Sequence, residues 1–145
     1  MTFPTPEPGL VIRYSYLWYA EHREGREEGV KDRPCAVVLT TQNSDGDTVV
    51  TVLHVTHALP TQPAFALEIP SITKRRLGLD SQRAWVVFNE ANRFVWPGPD
   101  LRILPGQDAA TAAYGVLPPN FFSVLRDRYL AAIKAHRSEI VRRSD

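Results

Sequence analysis

The stretch KDRPCAVVLTT, residues 31–41, decides how the chain is read. From Cys35 to Leu39 it is an uninterrupted apolar run, rich in the side chains that fit a pleated surface, and it reads as a buried strand. Pro34 fixes its own φ and pushes Arg33 toward extended backbone, so the charged cluster Lys31-Asp32-Arg33 is held at the mouth of a core strand. A guanidinium placed in that way suits an anion, because its planar fork of donors matches phosphate and keeps its charge at physiological pH. The structural alternative is an ion pair with Glu24, Glu27 or Glu28.

Downstream, NSDGD at 43–47 is a turn of Asn, Asp and Gly, and TVVTVLHVTH at 48–57 resumes a strand. A hairpin is therefore predicted between 33–42 and 48–57. It brings Arg33 to the same end as His54, Thr56 and His57. Strand alternation sets His54 and Thr56 on one face and His57 on the other, so at most one of the two imidazoles can serve with Arg33. A guanidinium, a hydroxyl and an imidazole together can bind a phosphodiester and move protons. The alternative is a strand-end threonine between two solvated histidines. Cys35 lies inside the strand and reads as core, not as a nucleophile. The two histidines lie on opposite faces and no Cys or His cluster joins them, so no metal site is predicted.

Upstream, GLVIRYSYLWY at 9–19 is predicted as the first strand, and the charged, Gly-containing segment 20–32 as a long solvated loop. AFALEI at 64–69 is a fourth strand. Ser71 then caps a short helix that Gly78 ends. The segment 83–96, RAWVVFNEANRFVW, is a fifth strand, bent or split near 89–92. Residues 102–119 read as irregular or as one helical turn. From an Asn120 cap, Phe122, Leu125, Tyr129, Ile133, His136 and Ile140 recur at three- and four-residue steps, predicting a long amphipathic helix over about 120–143. The expected class is mainly β with α, a small barrel or twisted sheet with one helix packed on it.

At 145 residues the chain is expected to form one domain, with its barrel over about 8–105. A charged fraction of 23% and a hydrophobic fraction of 43% are ordinary for a globular protein, and no apolar run approaches the roughly 20 residues of a membrane span. The first residues lack the pattern of a secretory signal, and a lone cysteine forms no internal disulfide, which points to the cytoplasm. A net charge of +1 neither demands nor excludes a nucleic-acid partner, although Lys74-Arg75-Arg76 and the tail Arg142-Arg143 are local basic clusters.

The order PGLVIRY, then a charged loop with GREEG, then RPCAVVLTT, then VLHVTH resembles the PemK/MazF family of bacterial toxin ribonucleases over roughly residues 8–95. The resemblance implies an SH3-like barrel, a homodimer, metal-independent cleavage of single-stranded RNA with no cofactor, and a cognate antitoxin that supplies an acidic or disordered segment. It places Arg33 at the family's catalytic arginine, Thr56 at its catalytic threonine, and His57 where Ser or Thr usually stands. His22, Glu27 and Glu28 are the first-loop candidates for acid, base or substrate contact. Asn89, Lys74 and Arg75 complete the substrate-binding set. The chain departs from the family pattern where Val87 and Asn89 stand in place of the fifth-strand Arg and Asp of some members. A second reading, a non-catalytic barrel that binds nucleic acid or a protein, keeps the scaffold without those groups.

Overall fold

The computed structural model describes residues 3–17, 32–105, 111–135 and 138–143. The predicted hairpin is its centre. β2 (Asp32–Gln42) and β3 (Thr48–Thr56) pair antiparallel around the 43–47 turn, where Asn43 Oδ1 accepts from the backbone N–H groups of Asp45 and Asp47, each at 3.0 Å. That side chain replaces a backbone acceptor and pins the turn. β1 (Leu10–Ser15) pairs with the other edge of β2, and β7 (Ala113–Val116) pairs with β1.

The far edge of β3 is shared. Residues 49–52 pair with β6 (Glu90–Val95), while 55–56 pair with β5 (Trp85–Val87), which carries β4 (Ala66–Glu68). The segment predicted as one fifth strand is thus two, broken at 88–89. The helix before it, α1 (Ser71–Leu77), ends as predicted at Gly78, whose φ of 71° is a left-handed cap. The path β4-β5-β3-β2-β1-β7 does not close, and among the described residues β4 and β7 each have one paired edge. The expected closed barrel is corrected to an open, forked sheet in a mainly β chain.

The predicted helix over 120–143 is shorter than its pattern. α2 (Pro119–Lys134) begins with proline at its first turn, where the missing N–H costs nothing, so Asn120 lies inside the helix and does not cap it. After α2 the chain forms β8 (Glu139–Arg142), parallel to β6. The helical spacing that runs on from Ile133 to Ile140 masks a two-residue alternation in which Val141 and Arg143 are buried and Arg142 is exposed. His136 lies outside the described residues.

The central strands separate two apolar clusters. Ala36 and Val38 join Val11, Leu53, Val55, Leu125 and Tyr129 on the face that carries the helices. Cys35 and Val37 join Ile12, Tyr14, Val50, Val52 and Phe94 on the other. Burial on both faces explains why β2 reads as a continuous apolar run. Arg143 closes the second face. Its side chain is 1% exposed, and the guanidinium lies 2.9 Å from the Asp100 carboxylate and donates to Asn92 Oδ1 at 2.8 Å, the Ser15 carbonyl at 3.0 Å and Tyr14 Oη at 3.2 Å. Asn92 in turn donates to the Leu17 carbonyl at 2.8 Å and accepts from its N–H at 2.9 Å. An arginine read as part of a basic tail is therefore a buried tie between β1, β6 and the 97–101 segment.

Removing one partner of a buried pair strands the other charge, at a cost of about 3–5 kcal/mol. Arg143→Ala is therefore expected to lower the free energy of unfolding by about that much, read from the urea midpoint, whereas the exposed Arg142→Ala moves it by under about 0.5 kcal/mol.

Candidate functional site

Strand register assembles the site. Arg33 pairs with Tyr14 of β1, and Cys35 pairs with His54 of β3. Continued by two residues, that second register sets Arg33 opposite Thr56. Both line a cleft of about 800 Å³ together with Arg13, Asp32, His57, Asp80 and Tyr114, against an apolar wall that includes Val55, Leu77 and Ala84. Arg33, Thr56 and His57, expected at one end of the hairpin, all line this cleft.

The charge of Arg33 reaches its neighbours. It helps depress the imidazole of His54 and pulls down the Cys35 thiol, which burial nevertheless pushes far above its ordinary value. Cys35 is buried and protonated, as expected of a core side chain. Thr56 Oγ1 accepts from the N–H of Ala58 at 3.1 Å, which orients the hydroxyl and leaves its proton to donate elsewhere. Asp32 lies between Arg13 Nη2 at 3.8 Å and Arg102 Nε at 3.6 Å, so the cleft mouth holds acid and base together. The carboxylates weighed as partners of Arg33, Glu24, Glu27 and Glu28, lie outside the described residues, as does His22.

The two histidines divide as alternation requires, but only one is solvated. His54 is fully buried, its ring 4.7 Å from that of Tyr16. Burial first, and the positive charge of Arg33 second, lower its pKa to about 3, so it is neutral at physiological pH. His57 is exposed. Its Nε2 lies 2.9 Å from Asp80 Oδ2 and its Nδ1 3.0 Å from the carbonyl of Arg83. Each ring nitrogen faces an acceptor, and only the doubly protonated ring can donate to both.

The remaining candidates lie elsewhere. Lys74, expected to contact substrate, is 4% exposed, and its ammonium donates to the backbone carbonyls of Gln82 at 2.5 Å and Ser81 at 3.5 Å, tying α1 to the following loop. Arg75 is exposed on α1 away from the cleft lining. Asn89 sits at the break between β5 and β6, its carbonyl accepting from the N–H of Glu139 at 2.9 Å, and Val87 is on β5; neither lines the cleft. Among the charged and aromatic lining residues, Arg13, Asp32, Asp80 and Tyr114 were not singled out as candidates by sequence. Arg13 had a signal, as the one charge inside an apolar strand. Asp32 had one in the cluster beside Arg33. Asp80 and Tyr114 had none, because a loop end and an unrecognised strand carry them. Among the described residues no three His, Cys, Asp or Glu side chains gather as a metal site requires, and no helix is long and apolar enough to cross a membrane.

Among solved structures the chain is similar to an endoribonuclease in complex with its cognate antitoxin from a mycobacterial species, at 16% identity and a TM-score of 0.50, over 90% of this chain and 96% of that one. At that identity the likeness is one of fold. No protein-family model matches the sequence, and no curated protein matches it.

The pKa of His54 falls from 6.5 unfolded to about 3 folded. Between those values the unfolded chain binds the extra proton, so stability present above pH 6.5 is lost as pH falls, by roughly 2 kcal/mol from pH 7 to pH 5. Urea titrations at pH 7, 6 and 5 are expected to show this loss, and His54→Phe is expected to flatten it by about the same amount.

Proposed function

We propose that this chain is the toxin of a toxin–antitoxin pair, a PemK/MazF-like endoribonuclease that cleaves single-stranded RNA without a metal. The observation that carries the reading is that Arg33 and Thr56, each two residues beyond the Cys35–His54 pair on adjacent strands, line one cleft. The fold likeness to an endoribonuclease with its antitoxin supports it.

In this reading a ribose 2′-hydroxyl attacks the adjacent phosphorus, and the bond to the 5′-oxygen of the next nucleotide breaks. The products are a cyclic phosphate and a free 5′-hydroxyl. Arg33 offsets the charge that builds on the phosphate oxygens, where a preorganised donor contributes most. Thr56 donates its proton to the same phosphate. His57 is assigned the acid role: in its doubly protonated form the nitrogen that meets Asp80 is the one that would give its proton to the leaving oxygen once that contact loosens. The base is assigned to the segment 20–31, which holds His22, Glu27 and Glu28. The proposal includes one domain, a homodimer, a cytoplasmic setting and inhibition by an acidic or disordered segment of the antitoxin.

A specific observation favours the second reading, a binding module without catalysis. Neither Val87 nor Asn89 brings a charged group to the cleft, so the fifth-strand contribution seen in some family members is missing.

Incubation of the full chain with long single-stranded RNA in EDTA separates the two. Cleavage that persists under chelation is expected, with Arg33→Ala losing about 10²–10³-fold in rate at an unchanged melting temperature. Arg33→Lys is expected to recover little, since it keeps the charge but not the planar fork. Intact RNA under all conditions would leave the binding module.

A further inference from the structure

The edge strand β7 carries an irregularity that faces the cleft. Val11 pairs with Gly115 and Ile12 with Ala113, so Tyr114 has no residue opposite it and forms a bulge. Gly115 follows with φ of 143°, a conformation that L side chains rarely adopt, and a Cβ there would lie 3.0 Å from Leu77 Cδ2. Bulges kink a strand and re-aim a side chain, and they concentrate next to functional sites. Here the bulge presses β7 under α1 and turns an aromatic ring, half-buried against the helix-side cluster, toward the cleft.

The surroundings of that ring are those of a base subsite. Arg13, on the neighbouring strand, is near enough for its charge to act on the Tyr114 hydroxyl. Arg13 pairs across β1 and β2 with Pro34, the residue after Arg33. The strand order β7-β1-β2 sets Tyr114, Arg13 and Pro34 in a row on the helix side, and Arg33, whose side chain alternates to the other face, joins them at the strand end where all of these residues line the cleft. Two strand spacings, roughly 10 Å, separate β7 from β2. An aromatic face beside a guanidinium, next to a site for phosphate, has the chemistry of single-strand binding.

We propose that Tyr114, with Arg13 beside it, is a nucleobase subsite: the base of the nucleotide flanking the Arg33–Thr56 phosphate stacks on the phenol ring. The subsite rests on the RNA reading and sets which flanking bases bind well.

The test measures affinity of the full-length protein for a single-stranded oligonucleotide of mixed sequence with 2′-deoxyribose throughout, which lacks the attacking hydroxyl. Tyr114→Leu removes the ring and is expected to weaken binding about 5- to 150-fold, and Tyr114→Phe to recover most of that loss. In the wild-type protein the ring protons of Tyr114 are expected to shift upfield as the oligonucleotide is added, a readout that needs no variant to fold. Unchanged affinity in a folded Tyr114→Leu, or Tyr114 ring protons that do not move while the wild type binds, would overturn the subsite and leave the RNA reading in place. A wild-type protein that binds no oligonucleotide and cleaves no RNA would overturn both.

Discussion

β2 is paired on both edges and buried on both faces, and this constraint organises everything around it. Its even positions, Ala36 and Val38, belong to one cluster, and its odd positions, Cys35 and Val37, to the other. A slip of one residue would exchange them and disturb two cores at once. The register with β1 and β3 is therefore strongly specified, and with it the position of Arg33. The end of the strand that borders the cleft inherits its precision from the core. A loop-borne arginine would have no such anchor.

The second face is sealed from the end of the chain. β8 brings Arg143 under β1 and β6, where a buried ion pair with Asp100 and hydrogen bonds to Asn92, Ser15 and Tyr14 replace the apolar packing used on the first face. Buried ion pairs contribute little net stability compared with apolar packing, but their geometry is demanding. This one joins three segments far apart in sequence and fixes β1, the partner of Arg33. Lys74 acts similarly on the cleft side, holding the 81–82 backbone so that Asp80 meets His57.

The hairpin was legible because its turn chemistry and apolar runs are local, and from it came the meeting of Arg33, Thr56 and His57. The break in the fifth strand was legible from the polar residues that interrupt it. What failed depends on distant partners. Alternation separated His54 from His57 but could not reveal that Tyr16 and the second core cover His54. Arg143 looked like tail charge because nothing near it in sequence announces Asp100. β7 was missed because a short Ala-Tyr-Gly-Val strand, bulged and glycine-bearing, has almost no strand signature. The helix was overextended because a two-residue period and a helical spacing coincide at Ile140.

Arg33 and Thr56 are proposed to hold one phosphate together. A double-mutant cycle tests it, with Arg33→Ala, Thr56→Val and the double variant titrated with a 2′-deoxy oligonucleotide that cannot be cleaved. Residues that share one ligand group couple, so the account predicts losses that fall short of or exceed additivity by about 0.5–3 kcal/mol. Losses that add within about 0.5 kcal/mol, or no loss in either single variant, would contradict it.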